Sequence, residues 1–100
     1  MPYASHENED RLSEHTRELH RAFQSIVEEL EAVDWYQARI DATGDEELKA
    51  ILAHNRDEEK EHASMLLEWV RRNDPAFARE MASFLFKEGV RITEIEEKSS

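Results

Sequence analysis

Three residues of this 100-residue chain have the types and spacing to hold a transition metal: Glu29, Glu59 and His62. Glu59 and His62 stand one helical turn apart, so on a helix they share a face. Each of the three interrupts a run of apolar residues at four-three spacing. One run reads Ala22, Ile26, Glu29, Val33, Tyr36, Ile40, flanked by Leu19, Phe23 and Leu30. The other reads Leu48, Leu52, Asn55, Glu59, His62, Leu66, Trp69, flanked by Ile51 and Met65. A carboxylate sunk into such a seam is costly unless something compensates its charge. A metal, a salt bridge or a shared proton would do so. One Glu from one helix and a Glu-x-x-His from another make half of a carboxylate-bridged di-metal site of the kind built inside four-helix bundles. A second copy of the chain would supply the other half. Glu-x-x-His alone is a weak motif, and a buried polar layer that fixes helix register is the competing reading. The joint placement of all three ligands in one region of two apolar stripes favours the metal.

The elements that must carry these residues follow from a few breakers. Asp41-Ala42-Thr43-Gly44-Asp45 reads as a turn, with Gly44 suited to a left-handed backbone and Thr43 with Glu46 as a capping box for the next helix. Asn73-Asp74-Pro75 reads as a second break, with Asp74 as N-cap and Pro75 at the first helical position. Gly89 is a third. This predicts a long helix from about Ser13 to Asp41, a second from about Asp45 to Arg72, and a shorter one from about Pro75 to Lys87 carrying Phe77, Met81, Phe84 and Leu85. The expected architecture is all-α: an antiparallel two-helix hairpin plus a short C-terminal helix, one domain over residues 1–100, with 1–12 and 94–100 flexible. A turn centred on Gly44 sets Glu29 opposite Glu59 and Ile26 opposite His62. Each long helix would span about 40 Å. The remaining residues are too few to cover both sides of the seam, so obligate association is expected, closing a four-helix bundle from two chains.

Composition narrows the functions further. Lys and Arg number 13 against 24 Asp and Glu, a formal net charge of −11. Such a surface repels nucleic acid and anionic membranes and attracts cations. Cysteine is absent, which removes thiol chemistry, disulfides and thiolate metal sites. The longest apolar runs are only a few residues, so no membrane span is expected. Met1-Pro2-Tyr3-Ala4-Ser5-His6-Glu7 does not read as a basic-plus-apolar signal peptide.

Two further acidic sets share helix faces. Glu28 and Glu31 stand on a different face from Glu29, and His54, Glu58 and Glu61 follow i, i+4, i+7 spacing. A solvated acidic face, with Arg39, Arg56 and Lys60 as ion-pair partners, is the plain reading of both. A divalent cation held at the surface or at a subunit contact is the functional one for the second set.

The segments Glu28-Glu29-Leu30-Glu31-Ala32-Val33-Asp34-Trp35-Tyr36 and Ile51-Leu52-Ala53-His54-Asn55-Arg56-Asp57-Glu58-Glu59-Lys60-Glu61-His62 resemble encapsulated ferritins, the short ferroxidases packaged inside encapsulin nanocompartments. The likeness runs from about Glu28 to Phe86. It implies a protomer that dimerises into a ferritin-like four-helix bundle, and an annular decamer of five dimers. It implies di-iron ligands at Glu29, Glu59 and His62 of both protomers, with Trp35 and Tyr36 as the aromatic pair beside them and Tyr36 counted among the catalytic groups. Glu28 and Glu31 would line the route by which iron enters. His54, Glu58 and Glu61 would form a weaker site for calcium or another divalent cation. The implied activity is oxidation of Fe(II) to Fe(III) by dioxygen, delivering iron for mineral storage in an encapsulin shell in the cytoplasm. Family members carry a C-terminal docking peptide of small and apolar residues. Glu94-Ile95-Glu96-Glu97-Lys98-Ser99-Ser100 does not resemble one, so cargo status rests on the resemblance. Two other functions fit the same residues: a non-catalytic acidic helical oligomer that binds divalent cations, and a di-iron peroxidase.

Overall fold

In the computed structural model residues 6–99 are described, with side chains placed as far as Glu96. The flexible ends expected from the sequence therefore fall partly outside the described residues, at 1–5 and at 100. Among the described residues every regular element is helical. After a 3-10 turn at Glu9–Arg11 come α1 (Glu14–Ala42), α2 (Glu46–Asn73), α3 (Pro75–Phe84) and α4 (Ile92–Ser99). By internal contacts the chain groups into residues 1–69 and residues 70–100, with the boundary inside α2.

Residues 1–69 hold the hairpin. Ser13 starts α1: its hydroxyl accepts the Thr16 amide at 3.1 Å. The 3-10 turn is tied to α1 by Arg17, whose guanidinium donates twice to the Glu9 carbonyl, at 2.6 and 3.1 Å. The inter-helix turn differs from expectation in two ways. Asp45, and not Thr43, caps α2: its carboxylate accepts the Leu48 amide at 3.0 Å, while the Thr43 hydroxyl accepts the Asp45 amide at 3.2 Å. The capping box is displaced because a nearer aspartate takes the role and leaves threonine to hold the turn. Gly44 does not adopt a positive φ; Gly89 does, at 77°. The extended backbone of Thr43 at the end of α1 redirects the chain without a left-handed residue.

The two stripes face inward as the periodicity predicts. Ala22 and Ala63 are buried, and Ile26, Val33, Tyr36, Ile40, Leu52, Asn55, Leu66 and Trp69 are half-buried. Leu48 is the exception and is exposed. A hydrogen-bonded clasp joins the helices. Arg56 donates to Gln37 of α1 at 2.7 Å and to Asp57 at 3.0 Å, and Gln37 donates to Asp41 at 3.0 Å. The hydrogen bond from Arg56 holds the Asp57 carboxyl below the usual carboxylate range, aided by Lys60. A depressed carboxyl adds stability above its unfolded value and loses it as pH falls through the lower folded value. This pair lies in solvent, so its contribution is small. The hairpin leaves much of its apolar surface uncovered: Leu30, Trp35, Ile51, Met65 and Leu67 are exposed with Leu48. Large uncovered apolar surface on a small unit marks a place for a partner.

Residues 70–100 hold the end of α2, α3 and α4. Val70 is fully buried and α3 contacts α4. Asp74 caps α3 as expected, accepting the Phe77 amide at 3.0 Å, with Pro75 at its first position. The helix ends at Phe84, short of the expected Lys87, because Leu85 is extended and Phe86 turns left-handed at φ 60°. Of the 94–100 tail, residues 94–99 lie in α4, and Ser100 lies outside the described residues.

Asp45→Ala is expected to lower unfolding stability by about 1 kcal/mol in a urea titration, the usual cost of losing an N-cap. Thr43→Ala should cost distinctly less. Equal losses would return the capping role to Thr43.

Candidate metal centre

Glu29 reaches the seam from the middle of α1; Glu59 and His62 reach it from one turn of α2. His62 Nδ1 lies 3.5 Å from Glu29 Oε2 and 3.5 Å from Glu59 Oε2. One ligand atom from each residue falls within 4.8 Å of the others. Among the described residues no other group of three or more acidic or histidine side chains gathers this way. Glu29 therefore meets His62 across the hairpin, where the sequence register set it opposite Glu59. The Glu29–His62 and Gln37–Arg56 contacts place the mirror point of the hairpin near Asp45–Glu46 rather than Gly44.

The trio is electrostatically unfinished. Two carboxylates lie close together in partly apolar surroundings, and like charges there repel more strongly than in water. One imidazole nitrogen stands between them. At 3.5 Å each contact is too long for a good hydrogen bond. Glu29 Oε2 is buried with no hydrogen-bond donor, despite its nearness to His62. An orphaned buried carboxylate oxygen is expensive, and a cation would satisfy it. The donor set of two carboxylates and one imidazole fits Fe(II), Mn(II) or Zn(II) and leaves coordination positions free. The His62 side chain is 42% exposed against 23% for Glu29 and 24% for Glu59, so the group opens at the face of the hairpin.

The remaining expected residues stand apart. Glu28 is exposed and Glu31 half-buried on α1. His54 Nε2 pairs with Glu58 Oε1 at 2.7 Å, but Glu61 does not complete a three-ligand group with them. Trp35 is exposed and lines a shallow depression with Ala38 and Arg39. Tyr36, two turns from Glu29, carries the Arg39 guanidinium 5.6 Å from its ring centroid. The cations expected to pair with Glu28, Glu31, Glu58 and Glu61 have other partners. Arg56 binds Gln37 and Asp57, Lys60 lies 3.7 Å from Asp57, and Arg39 packs on Tyr36. Asp57 captures Arg56 and Lys60 because it is their neighbour at one and three residues. The Arg56–Gln37 clasp has no signal in a periodicity reading, since both residues read as surface.

A carboxylate and histidine group on a two-helix hairpin defines the ferritin-like helical class. The chain belongs to the EncFtn-like family, whose profile matches residues 4–88. It is 59% identical over 93 residues to the encapsulated ferritin-like protein of Rhodospirillum rubrum, covering 93% of this chain and 66% of that protein. The chain thus spans about two thirds of that relative's length. It is 50% identical over 95 residues to a ferritin-like protein of Thermotoga maritima, covering 95% and 82% of the two chains. It is 49% identical over 59 residues to the encapsulin nanocompartment cargo protein EncC of Myxococcus xanthus, covering 58% and 45%. The crystal structure of protein ne0167 from Nitrosomonas europaea superposes with a TM-score of 0.84 at 58% identity, covering 88% of this chain and 97% of that one.

In the metal-free protein, Glu29→Leu is expected to raise unfolding stability by about 1 kcal/mol, because the orphaned carboxylate is removed. The same variant should lose stoichiometric Co(II) binding in an absorbance titration. A loss of stability would instead make Glu29 a structural register residue.

Proposed function

We propose that this chain is a ferroxidase that oxidises Fe(II) to Fe(III) with dioxygen at a centre shared by two copies. The observation that carries the reading is the orphaned Glu29 oxygen, placed within ligand reach of Glu59 and His62 at an open apolar face. Two copies meeting at that face would bring together four carboxylates and two imidazoles, the ligand set of a di-iron carboxylate centre.

Fe(II) enters as substrate. Two such ions give up two electrons, and one dioxygen with two protons becomes hydrogen peroxide. The chain's own groups create the conditions. Glu29 and Glu59 supply negative charge that favours the higher oxidation state. His62 binds through an unprotonated nitrogen, so metal and proton compete for it. In the closed pair the apolar stripes of both copies would keep water away from the ligands and limit their movement. Trp35 and Tyr36, further along the same helix, are the aromatic neighbours this reading assigns to the completed centre, with Tyr36 as a candidate catalytic group. Glu28 and Glu31 provide the acidic approach for incoming iron, and His54, Glu58 and Glu61 a weaker site for calcium or another divalent cation. The uncovered hairpin face supports dimerisation, and we extend it to a ring of five dimers by family resemblance. The names of the Rhodospirillum and Myxococcus relatives support an encapsulin shell as partner, with the protein enclosed in that compartment in the cytoplasm and the shell holding the mineral.

The test is aerobic Fe(II) oxidation at a few irons per pair of chains, followed at the ferric absorbance. Wild type, Glu59→Ala, His62→Ala and an iron-only blank are run together. The wild-type rate should exceed both variants by roughly tenfold to a hundredfold, the scale of losses around metal ligands. Circular dichroism should show unchanged helix. Traces indistinguishable from the blank would leave a cation-binding helical module.

A further inference from the structure

One polar residue of the α2 stripe belongs neither to the metal trio nor to the clasp. Asn55 stands between Leu52 and Glu59 on that stripe and is half-buried. The sequence has three asparagines. Asn8 caps the 3-10 turn and Asn73 is the last residue of α2, end positions that suit this side chain. Asn55 alone lies inside a helix, where asparagine is a poor former. A leucine at this position would favour the helix and continue the stripe. A residue that breaks both local rules is expected where a site needs it.

The place of Asn55 in the hairpin points to Glu59. Residues four apart on a helix are neighbours on one face, about 5–6 Å between Cβ atoms. The Asn55 amide carries two N–H donors, and among the described residues no hydrogen bond engages them. Glu59 lacks a donor in turn. Its Oε2 lies 3.5 Å from His62 Nδ1, and the nearest cations on α2, Arg56 and Lys60, are taken by Asp57. Across the seam, the Glu29–His62 and Gln37–Arg56 contacts set Asn55 level with the turn of α1 that carries Tyr36 and Gln37. Gln37 is committed to Arg56 and Asp41. At that level α1 therefore offers the amide only the Tyr36 hydroxyl, a neutral acceptor and a weaker one than a carboxylate.

We propose that Asn55 is a positioning residue of the metal centre: with a cation bound, its amide N–H donates to the Glu59 carboxylate and fixes the orientation of that ligand. The inference rests on the metal reading of Glu29, Glu59 and His62. Carboxylates that bind metals are themselves held by hydrogen bonds, and those partners set affinity nearly as strongly as the ligands do. In the metal-free protein Glu59 leans toward His62 and the amide is unused. A cation that draws Glu59 into its shell gives the amide its acceptor. A neutral donor suits the task. It orients the carboxylate and leaves intact the negative charge that holds the cation, which a lysine or arginine in its place would offset.

The test is a Co(II) titration of the full chain, read at the visible absorbance, with a thermal scan under chelator beside it. Asn55→Leu should bind Co(II) at least about tenfold more weakly than the wild type, the scale of losses at residues that orient metal ligands. The same variant should raise the thermal midpoint of the metal-free protein, because the stripe becomes continuous and the helix gains a better former. Asn55→Gln keeps the amide on a longer stem and should bind Co(II) within about threefold of the wild type, since such amides also reach a neighbour four residues away. A fall in the metal-free midpoint of Asn55→Leu would make Asn55 a structural register residue and overturn the proposal. Equal Co(II) affinity in wild type and Asn55→Leu, or Asn55→Gln binding as weakly as Asn55→Leu, would overturn it while leaving the centre in place. A wild type without stoichiometric Co(II) binding would overturn the centre and the proposal together. A wild type that binds Co(II) but does not oxidise Fe(II) would sink the ferroxidase reading alone, and the comparison of the two variants would still decide the role of Asn55.

Discussion

Two carboxylates and an imidazole held together in an otherwise apolar seam set the terms for the hairpin. Their mutual repulsion and the orphaned Glu29 oxygen work against folding of the isolated chain. The helices hold them there through ordinary means: an N-cap at each start, inward apolar stripes, and the Arg56–Gln37 clasp. None of these supplies a counter-charge at the seam. The structure thus spends packing stability on a group whose most economical completion is a cation.

The exposed apolar residues belong to the same problem. Two helices of 29 and 28 residues offer each other one stripe each, and side chains on either side of the stripe have nothing to cover them. Leu30, Ile51, Met65 and Trp35 lie outside the buried line for that geometric reason. In residues 70–100 the short α3 and α4 likewise leave Phe77, Leu85 and Ile92 uncovered. A chain with so little buried surface has its natural stability in company.

Much of this was legible in the residues. The two long helices, the Asp74–Pro75 start of α3 and the convergence of Glu29, Glu59 and His62 follow from period, caps and motif spacing. Register was less accessible. It depends on how the two helices are staggered across the turn, and a shift of one to two residues in the mirror point moves the cross-helix neighbour of Glu29 from Glu59 to His62. The turn was misread for a related reason: glycine permits a left-handed backbone but does not require one, and Asp45 competed successfully with Thr43 for the cap. Ion pairs were harder still. Arg56 and Lys60 had several acids within reach on α2, and only the folded geometry selects Asp57. Phe86 left no signal, because a bulky residue is the last one expected at positive φ.

The opening of the trio at the face of the hairpin, with His62 more exposed than either carboxylate, has a consequence for dosage. On the shared-centre reading, a lone chain carries half a workplace. The number of complete centres in dilute solution then grows with the square of chain concentration. Expression level would act as a threshold: scarce chains would meet iron singly and stay idle, and crowding them into a small volume would switch the chemistry on.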